Sequence, residues 1–287
     1  FSSLNQGAEQ ETAAADHDGR SLSPVDRAPE GVLSDPDDFC AFPRGASAGE
    51  CVHCAFEHID FTDLQSWNNA IAAALTQFPQ HLPGLSAAES APRLSRMLRR
   101  LLDDVLATPL ADEVVLNRIA HPQRLTEMAF RLPALGLTPQ ALNDWLKKNH
   151  YDMPRLTFRD LDGYLQGYID LVFAHEGRYY LLDWKSNHLG NTPEAYFPQH
   201  LAEEMAGHGY HLQYLLYTLA LRRYLALRLP DFDYERDFGG VFYLFVRGVR
   251  PGWKTPEGQP TGVYFHRPQE AAMDSLEALI AGKRKKR

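Results

Sequence analysis

Two aspartates and a lysine near the middle of the chain have the types and spacing of a hydrolytic site. Asp170, Asp183 and Lys185 stand on two β-type runs that are joined by a turn at Glu176-Gly177. If those two residues form a two-residue turn, with the glycine at a positive φ, Asp170 faces Asp183 on one side of the hairpin, with Cβ atoms about 4.5–5.5 Å apart. The period of two of a β-strand places Lys185 on that same face.

Two like charges that face each other across a ladder destabilise a sheet. A divalent cation between the carboxylates removes that cost, and hard oxygen ligands are those that Mg²⁺ prefers. A neighbouring ammonium would complete a site able to hold a phosphodiester, orient a water molecule and offset charge in the transition state. The alternative is an Asp–Lys salt bridge on a strand surface without a function. The flanking residues Tyr180, Leu181, Leu182 and Trp184 predict a largely buried strand, where an unpaired charge is costly.

The elements that must position these residues follow from hydrophobic periodicity. Helical spacing predicts helices over residues 48–60, 94–106, 209–229 and 269–280. Short apolar or alternating runs predict strands over residues 114–119, 127–132 and 239–246, besides the two strands between 165 and 185. Helices, then a cluster of strands, then a helix and a last strand predict a mixed α/β domain.

The net charge of −8 is unevenly distributed along the 287 residues. Residues 1–38 carry nine Asp or Glu against two Arg, and residues 283–287 are all Lys or Arg, which leaves −6 for residues 39–282. This distribution excludes a globally basic binder of nucleic acid, but it does not exclude a locally basic groove. We expect a disordered acidic linker over 1–38, one folded domain over 39–282 and a solvated basic tail over 283–287.

Several classes of protein are excluded by what the sequence lacks. It has no run of about 18 apolar residues that could span a membrane, and no glycine-rich phosphate loop for ATP. Cys40, Cys51 and Cys54 lack the second cysteine pair that a structural zinc or iron–sulfur site would need, so no Fe-S cluster is expected. Sparse cysteines favour a reducing cytoplasm. No signal peptide is expected at the start of the sequence, and the missing initiator Met suggests a piece of a longer polypeptide.

Motifs around the two aspartates and the lysine carry a resemblance to a known family. Gly167-Tyr168-Ile169-Asp170 and the run from Leu182 to Asn187 resemble the PD-(D/E)XK nuclease superfamily, and residues 163–190 look most like the C-terminal nuclease domains of RecB subunits of bacterial RecBCD helicase–nucleases. Supporting blocks occupy residues 42–47, 239–245 and 247–249, and the resemblance extends over roughly 42–280. It implies a restriction-endonuclease-like α/β core, with a mixed central sheet flanked by helices and extra N-terminal helices, for the nuclease domain 39–282.

The resemblance also implies roles for individual residues. Asp170 and Asp183 would bind one or two Mg²⁺ ions together with His53, which lies on a predicted helix, and with the main-chain carbonyl of Trp184. Lys185 would position or activate the attacking water and steady the phosphate. Without the resemblance, a lone histidine such as His53 would be read as structural.

Further candidate residues lie outside these motifs. Gln213 and Tyr217 match a Gln-x-x-x-Tyr signature of the family and share one face of a helix, so both could contact the DNA backbone or support Lys185. The alternative is that Gln213 and Tyr217 are ordinary residues of an amphipathic helix without a role in the site. Glu127 is a further candidate, as an acid that supports the metal ligands. A group of arginines forms either a solvated helix face or one that contacts DNA: Arg93, Arg96, Arg99 and Arg100.

The function implied by the resemblance is that of a Mg²⁺-dependent exodeoxyribonuclease of the exodeoxyribonuclease V type. It would cut single strands of DNA from an unwound duplex during double-strand-break processing for recombination, with changed activity at Chi and subsequent loading of RecA. The implied partners are RecC, RecD, RecA and the RecB helicase region, which would use the ATP, in the bacterial cytoplasm. The alternative is a recombinase-loading or complex-docking module with an idle centre, against which the intact set of His53, Asp170, Asp183 and Lys185 counts.

Overall fold

The structure is a computed structural model that describes residues 35–282. Most of the predicted acidic linker and the whole predicted basic tail lie outside the described residues. Within the part that is described, no helix combines the length and the apolar character needed to cross a membrane.

A five-stranded mixed sheet organises the domain, with its strands in the order β1-β2-β3-β4-β5. The strands are β1 Arg124–Leu137, β2 Leu161–His175, β3 Arg178–Lys185, β4 Phe238–Phe245 and β5 Val263–His266. Neighbouring strands are antiparallel except β3 and β4, which are parallel. The helices are α1 Ala46–His58, α2 Trp67–Gln77, α3 Ala87–Ala107, α4 Pro139–Lys148, α5 Pro198–Gly207, α6 Tyr210–Arg228, α7 Tyr234–Asp237 and α8 Glu270–Ile280. This is the predicted α/β fold, with extra N-terminal helices before the sheet.

The hairpin between β2 and β3 has the register that the turn residues predict. Glu176 and Gly177 have φ values of 47° and 78°, as a type I′ turn requires. His175 therefore pairs with Arg178, and the ladder continues to Leu171 and Leu182. The ladder ends there, one position before Asp170 on β2 and Asp183 on β3.

Two hydrophobic clusters lie on opposite faces of the sheet. The first combines helices α1 to α3 with residues such as Leu171, Leu182 and Trp184. The second combines α4, α5, α6 and α8 with residues such as Leu181, Val241 and Tyr243. Because β3 and β4 are buried on both faces, nearly every residue in them is apolar, and the charged residues Asp183 and Lys185 are exceptions.

One predicted strand is wrong, and several elements are missing from the prediction. Residues 114–119 form no strand but a connection with a 3₁₀ turn at Leu116–Arg118, in which only Val114, Leu116 and Ile119 are buried. A short apolar run fills a core equally well as a loop. The predicted strand 127–132 is the middle of the longer β1. The elements that periodicity did not predict are α2, α4, α5, α7 and β5.

Three of the four arginines of α3, all but Arg99, contact the end of the predicted linker. The carboxylate of Asp37 accepts hydrogen bonds from Arg93 and Arg96, at 2.6 and 2.9 Å, and Asp35 forms an ion pair with Arg100. Residues 35–38 therefore pack on the domain rather than belonging to a disordered linker, because specific ion pairs hold them where composition alone predicts no order. Part of the arginine face is engaged by this chain itself.

Candidate active site

Three elements bring the predicted catalytic residues together where β2 and β3 diverge. His53 lies on α1, Asp170 on β2, and Asp183 with Lys185 on β3. The Nδ1 atom of His53 is 3.4 Å from Oδ2 of Asp170, and Nζ of Lys185 is 2.6 Å from Oδ2 of Asp183. The main-chain N–H of Trp184 donates to Oδ2 of Asp170 at 2.8 Å, which ties the two strands together beyond their last regular pair.

An aromatic stack fixes α1 against β3. The rings of Phe56 and Trp184 are 4.0 Å apart between centroids and nearly parallel, with an interplanar angle of 11°. Phe56 is one turn of helix away from His53, and Trp184 stands between Asp183 and Lys185 on β3. The stack therefore sets the position of the histidine relative to Asp183 and Lys185.

The two aspartates are a like-charged pair that solvent barely reaches, with 12% of the Asp170 side chain and 3% of the Asp183 side chain exposed. Burial raises the pKa of Asp170, and the neighbouring His53 and Lys185 offset that rise only in part. Burial and the adjacent Asp170 carboxylate together raise the pKa of Asp183 to about 7. Each carboxylate therefore lacks sufficient positive charge around it, which is the condition that a bound cation relieves.

The donor set of the site fits a hard divalent cation. Asp170 and Asp183 supply carboxylate oxygens, the donors that Mg²⁺ prefers, and His53 adds an imidazole nitrogen. Within residues 35–282, no three His, Cys, Asp or Glu side chains already converge as a complete metal cluster. Instead, one carboxylate faces the histidine and the other faces the lysine.

Glu127 lies closer to this site than its place in the sequence suggests. Thr126 pairs with Leu171 and Met128 with Ile169, so the register sets Glu127 opposite Asp170. The φ of Glu127 is 50°, in the left-handed region that favours glycine. Burial and the Glu57 carboxylate raise the pKa of Glu127.

Gln213 and Tyr217 lie behind Lys185 rather than on the surface. The hydroxyl of Tyr243 donates to Oε1 of Gln213, and Nε2 of Gln213 donates to the hydroxyl of Tyr217, both at 2.9 Å. The ammonium of Lys185 lies 4.1 Å from the centroid of the Tyr210 ring and 5.3 Å from that of Tyr243. With 7% and 5% of their surfaces exposed, Gln213 and Tyr217 offer DNA little to touch.

Sequence reasoning did not single out Tyr210, Tyr243 or Arg247 as site residues. Tyr243 pairs with Asp183 in the parallel ladder between β3 and β4, and no local sequence signal identifies it, because β4 is buried along its whole length and shows no alternation. Arg247 is completely buried, and its Nε donates to the carbonyl of Ser186 at 2.7 Å. It holds the segment that directly follows Lys185.

Comparison with known proteins agrees with these motifs. The sequence profile described as "PD-(D/E)XK nuclease superfamily" matches residues 30–284. The RecBCD enzyme subunit RecB of Escherichia coli (strain K12) is 39% identical over 246 residues, which cover 84% of this chain and 20% of that protein. Its counterpart from Haemophilus influenzae is 37% identical over 243 residues, covering 83% and 19%. That from Mycobacterium tuberculosis (strain ATCC 25618 / H37Rv) is 35% identical over 268 residues, covering 84% and 24%. The chain spans about a fifth of the length of these relatives.

Proposed function

The chain belongs to the PD-(D/E)XK nuclease superfamily, and from this premise we propose that it is the DNA-cleaving domain of a RecB-type helicase–nuclease subunit. One observation carries the proposal: Asp170 and Asp183 form a largely buried like-charged pair beside Lys185 and His53. A protein that needed only a stable strand would replace such a pair with apolar residues. The proposed reaction is hydrolysis of phosphodiester bonds in DNA.

The residues proposed to hold Mg²⁺ are Asp170, Asp183, His53 and the main-chain carbonyl of Trp184, with one or two ions in the site. When bound, the ion would offset the negative charge that develops on the phosphate oxygens. Glu127, opposite Asp170, is proposed to act as a further acid behind these ligands. The raised pKa of Glu127 is consistent with a position close to other carboxylates, among them Asp183.

Lys185 is proposed to orient the attacking water and the scissile phosphate. Its ammonium is held by Asp183 on one side and by the rings of Tyr210 and Tyr243 on the other. A fixed ammonium requires little reorganisation when charge develops in the transition state. The hydrogen-bonded chain through Gln213 and Tyr217 keeps the Tyr243 ring in place, so these two residues would support the lysine.

The names of the relatives suggest the setting in which this chemistry would occur. They are subunits of RecBCD enzymes, so we propose that this chain works with a RecB helicase region and with RecC and RecD in the bacterial cytoplasm. We further propose an exonuclease of the exodeoxyribonuclease V type that processes double-strand breaks and loads RecA. Failure of the wild-type chain to retain RecA in a pull-down would remove the loading part of this proposal.

The first experiment tests the site itself. Cleavage of single-stranded DNA by the 287-residue chain is measured with Mg²⁺ for the wild type, Asp183→Ala and Asp183→Asn, with circular dichroism to verify folding. Asp231→Asn is the matched control, because Asp231 is exposed and lies outside the site. We expect loss of cleavage by at least about 100-fold in both Asp183 variants and wild-type cleavage in the control. Undiminished cleavage by Asp183→Ala would refute the site assignment.

A further inference from the structure

A solvent-exposed face lies next to the candidate site on the first two strands. Pairing of β2 with β3 covers only Leu171 to His175, so within the described part of the chain residues 161–169 of β2 pair with β1 alone. We call these residues, together with residues 128–137 of β1, the ribbon. One face of the ribbon packs on the second core cluster through Phe130, Leu132 and Leu165. Its other face is open.

Two tyrosines project from this open face. Tyr164 and Tyr168 are 59% and 58% exposed, among the most exposed large apolar residues of the described chain. Their partners across the ladder are small: Pro133 opposite Tyr164, and Ala129 opposite Tyr168. Between these two pairs stands Arg131, whose guanidinium carbon lies 3.9 Å from the centroid of the Tyr164 ring. The rings therefore form an aromatic surface with a cation among them.

The open face leads directly to the carboxylate site. Tyr168 is two residues from Asp170 and Tyr164 is six, which correspond to about 7 and 20 Å along a strand. Exposed aromatic rings that share one face of a strand beside a candidate site point to a binding surface, whereas single scattered apolar residues do not. A polymer whose backbone reached Asp170 would pass its neighbouring units over the ribbon.

We propose that Tyr164, Tyr168 and Arg131 form a platform on which unpaired bases of a single-stranded nucleic acid stack. The proposal rests on the proposed nuclease function, which places a phosphate of that strand at Asp170. Aromatic rings bind any base, because every base has a π-face, and an arginine adds cation–π and stacking contacts. Bases in a duplex already stack on each other, so the platform favours single strands and carries no sequence preference.

Binding experiments test the platform without any cleavage. The affinity of the 287-residue chain for a fluorescein-labelled thymidine oligonucleotide is measured by anisotropy in EDTA, beside an abasic oligonucleotide of equal length. The variants are Tyr164→Leu and Tyr168→Leu, which keep an apolar side chain but lose the ring. The matched controls are Tyr164→Phe and Tyr168→Phe, which keep the ring, and Leu227→Ala, which removes a side chain that is 87% exposed elsewhere.

We expect each leucine variant to lower the affinity for the thymidine strand about tenfold and the controls to stay within about twofold. The abasic strand should bind all variants equally weakly. Three outcomes overturn the proposal: wild-type affinity of the leucine variants for the thymidine strand, equal wild-type affinity for the two strands, or no binding by the wild-type chain. An affinity that fell equally in the leucine and phenylalanine variants would also overturn it, because a lost ring would not be the cause.

The same variants separate this proposal from the proposed function. With Mg²⁺, the leucine variants should raise the KM for single-stranded DNA and leave kcat unchanged. Asp183→Ala should abolish cleavage, and its binding in EDTA should still weaken when either tyrosine is also replaced by leucine. If binding depends on the tyrosines but the wild-type chain does not cleave DNA, the proposed nuclease function is refuted and the platform proposal stands. Cleavage that is indifferent to both tyrosines would refute the platform alone.

Discussion

Glu127 stands opposite Asp170 in the ladder between β1 and β2, and it does so with a φ of 50°. The side chains of β2 change layers at this point: Leu171 belongs to the first core cluster, and Ile169, two residues away, belongs to the second. In a regular strand these two residues would share a face. The irregular backbone at Glu127 accompanies this inversion, which leaves Asp170 between the two cores and within reach of His53.

The backbone of Glu127 predicts a difference between two substitutions. Glu127→Gln keeps a side chain in the left-handed conformation, whereas Glu127→Gly removes the strain, which is larger than the entropy that glycine loses on folding. We expect the glycine variant to be more stable than the glutamine variant by about 0.5–1 kcal/mol. Urea unfolding in EDTA measures the difference. A glycine variant that is the less stable of the two would show that this conformation stores no strain.

The raised pKa values of the two aspartates predict how Mg²⁺ should act at different pH. In the metal-free fold, a carboxyl whose pKa is raised destabilises the protein as pH rises from the ordinary value near 4 towards 7, because ionisation is easier in the unfolded chain. Mg²⁺ binds the ionised form, so its stabilising effect grows over the same range. The increase in Tm on replacing EDTA with Mg²⁺ should be several degrees at pH 8 and about 2 °C or less at pH 6.

Thermal unfolding across pH 6 to 8 measures this effect, and Asp183→Asn is the control because it cannot ionise. The control should show a small Mg²⁺ shift that changes little with pH. A shift in the wild type that is equally large at pH 6 and pH 8 would contradict the idea that Mg²⁺ displaces protons from Asp170 and Asp183.

The parts of the site that the sequence predicts are those fixed by local geometry. A two-residue turn at Glu176-Gly177 sets the register of its own hairpin, so the pairing from His175–Arg178 to Leu171–Leu182, which ends one position before Asp170 and Asp183, follows from counting residues. The pairing of Tyr243 with Asp183 joins parallel strands across the whole of α5 and α6. No turn sets such a register, so Tyr243 could be placed only by the structure.

The acidic segment before the domain shows a second limit of sequence reasoning. Its composition predicts disorder, yet Asp37 and Asp38 lie against arginines that come more than 50 residues later. Composition measures how much apolar surface a segment can bury and contains no information on which distant cation faces a carboxylate. The same holds for residues 114–119, whose apolar side chains fill the first core cluster without forming a strand.

The hydrogen-bonded chain behind Lys185 predicts coupling between Gln213 and Tyr243. Tyr243→Phe leaves the buried Oε1 of Gln213 without its donor, which should cost about 1–3 kcal/mol of unfolding free energy. Adding Gln213→Leu removes the stranded acceptor, so the double variant should be more stable than the sum of the single effects predicts, by about 1 kcal/mol. Urea unfolding of the four proteins completes the cycle. Strict additivity would mean that the two groups do not interact.

The buried guanidinium of Arg247 predicts a large loss of stability from a conservative change. Besides Ser186, it donates to the carbonyls of Phe39, Phe42 and Pro43 at 2.7–3.1 Å, so one side chain satisfies acceptors in the segment before α1 and in the segment after β3. A lysine cannot reach four acceptors in the geometry of the planar fork. Arg247→Lys should therefore destabilise the fold by about 2–5 kcal/mol, as urea unfolding would measure. A loss below about 1 kcal/mol would mean that water replaces the lost donors.

The pair formed by Asp38 and Arg250 predicts how the fold responds to acid. Both side chains are 14% exposed, and the guanidinium donates to the two carboxylate oxygens at 2.6 and 2.7 Å. Burial alone would raise the pKa of Asp38, but the hydrogen bonds from Arg250 and the N–H of Cys40 hold that pKa below its ordinary value. A carboxyl with a lowered pKa in the fold stabilises the protein above the ordinary pKa near 4 and loses this effect as pH falls through the lowered value.

Asp38→Asn should therefore lower the unfolding free energy by about 1–3 kcal/mol at pH 7 and by progressively less below pH 4, so that the two proteins converge in acid. Urea unfolding from pH 7 down to pH 3 measures the convergence. Asp103→Asn is the matched control, because Asp103 is 52% exposed and its ion pair with Arg99 within α3 should contribute little at any pH. A difference between wild type and Asp38→Asn that persists unchanged at pH 3 would show that the loss comes from altered packing around Arg250 and not from the charge of Asp38.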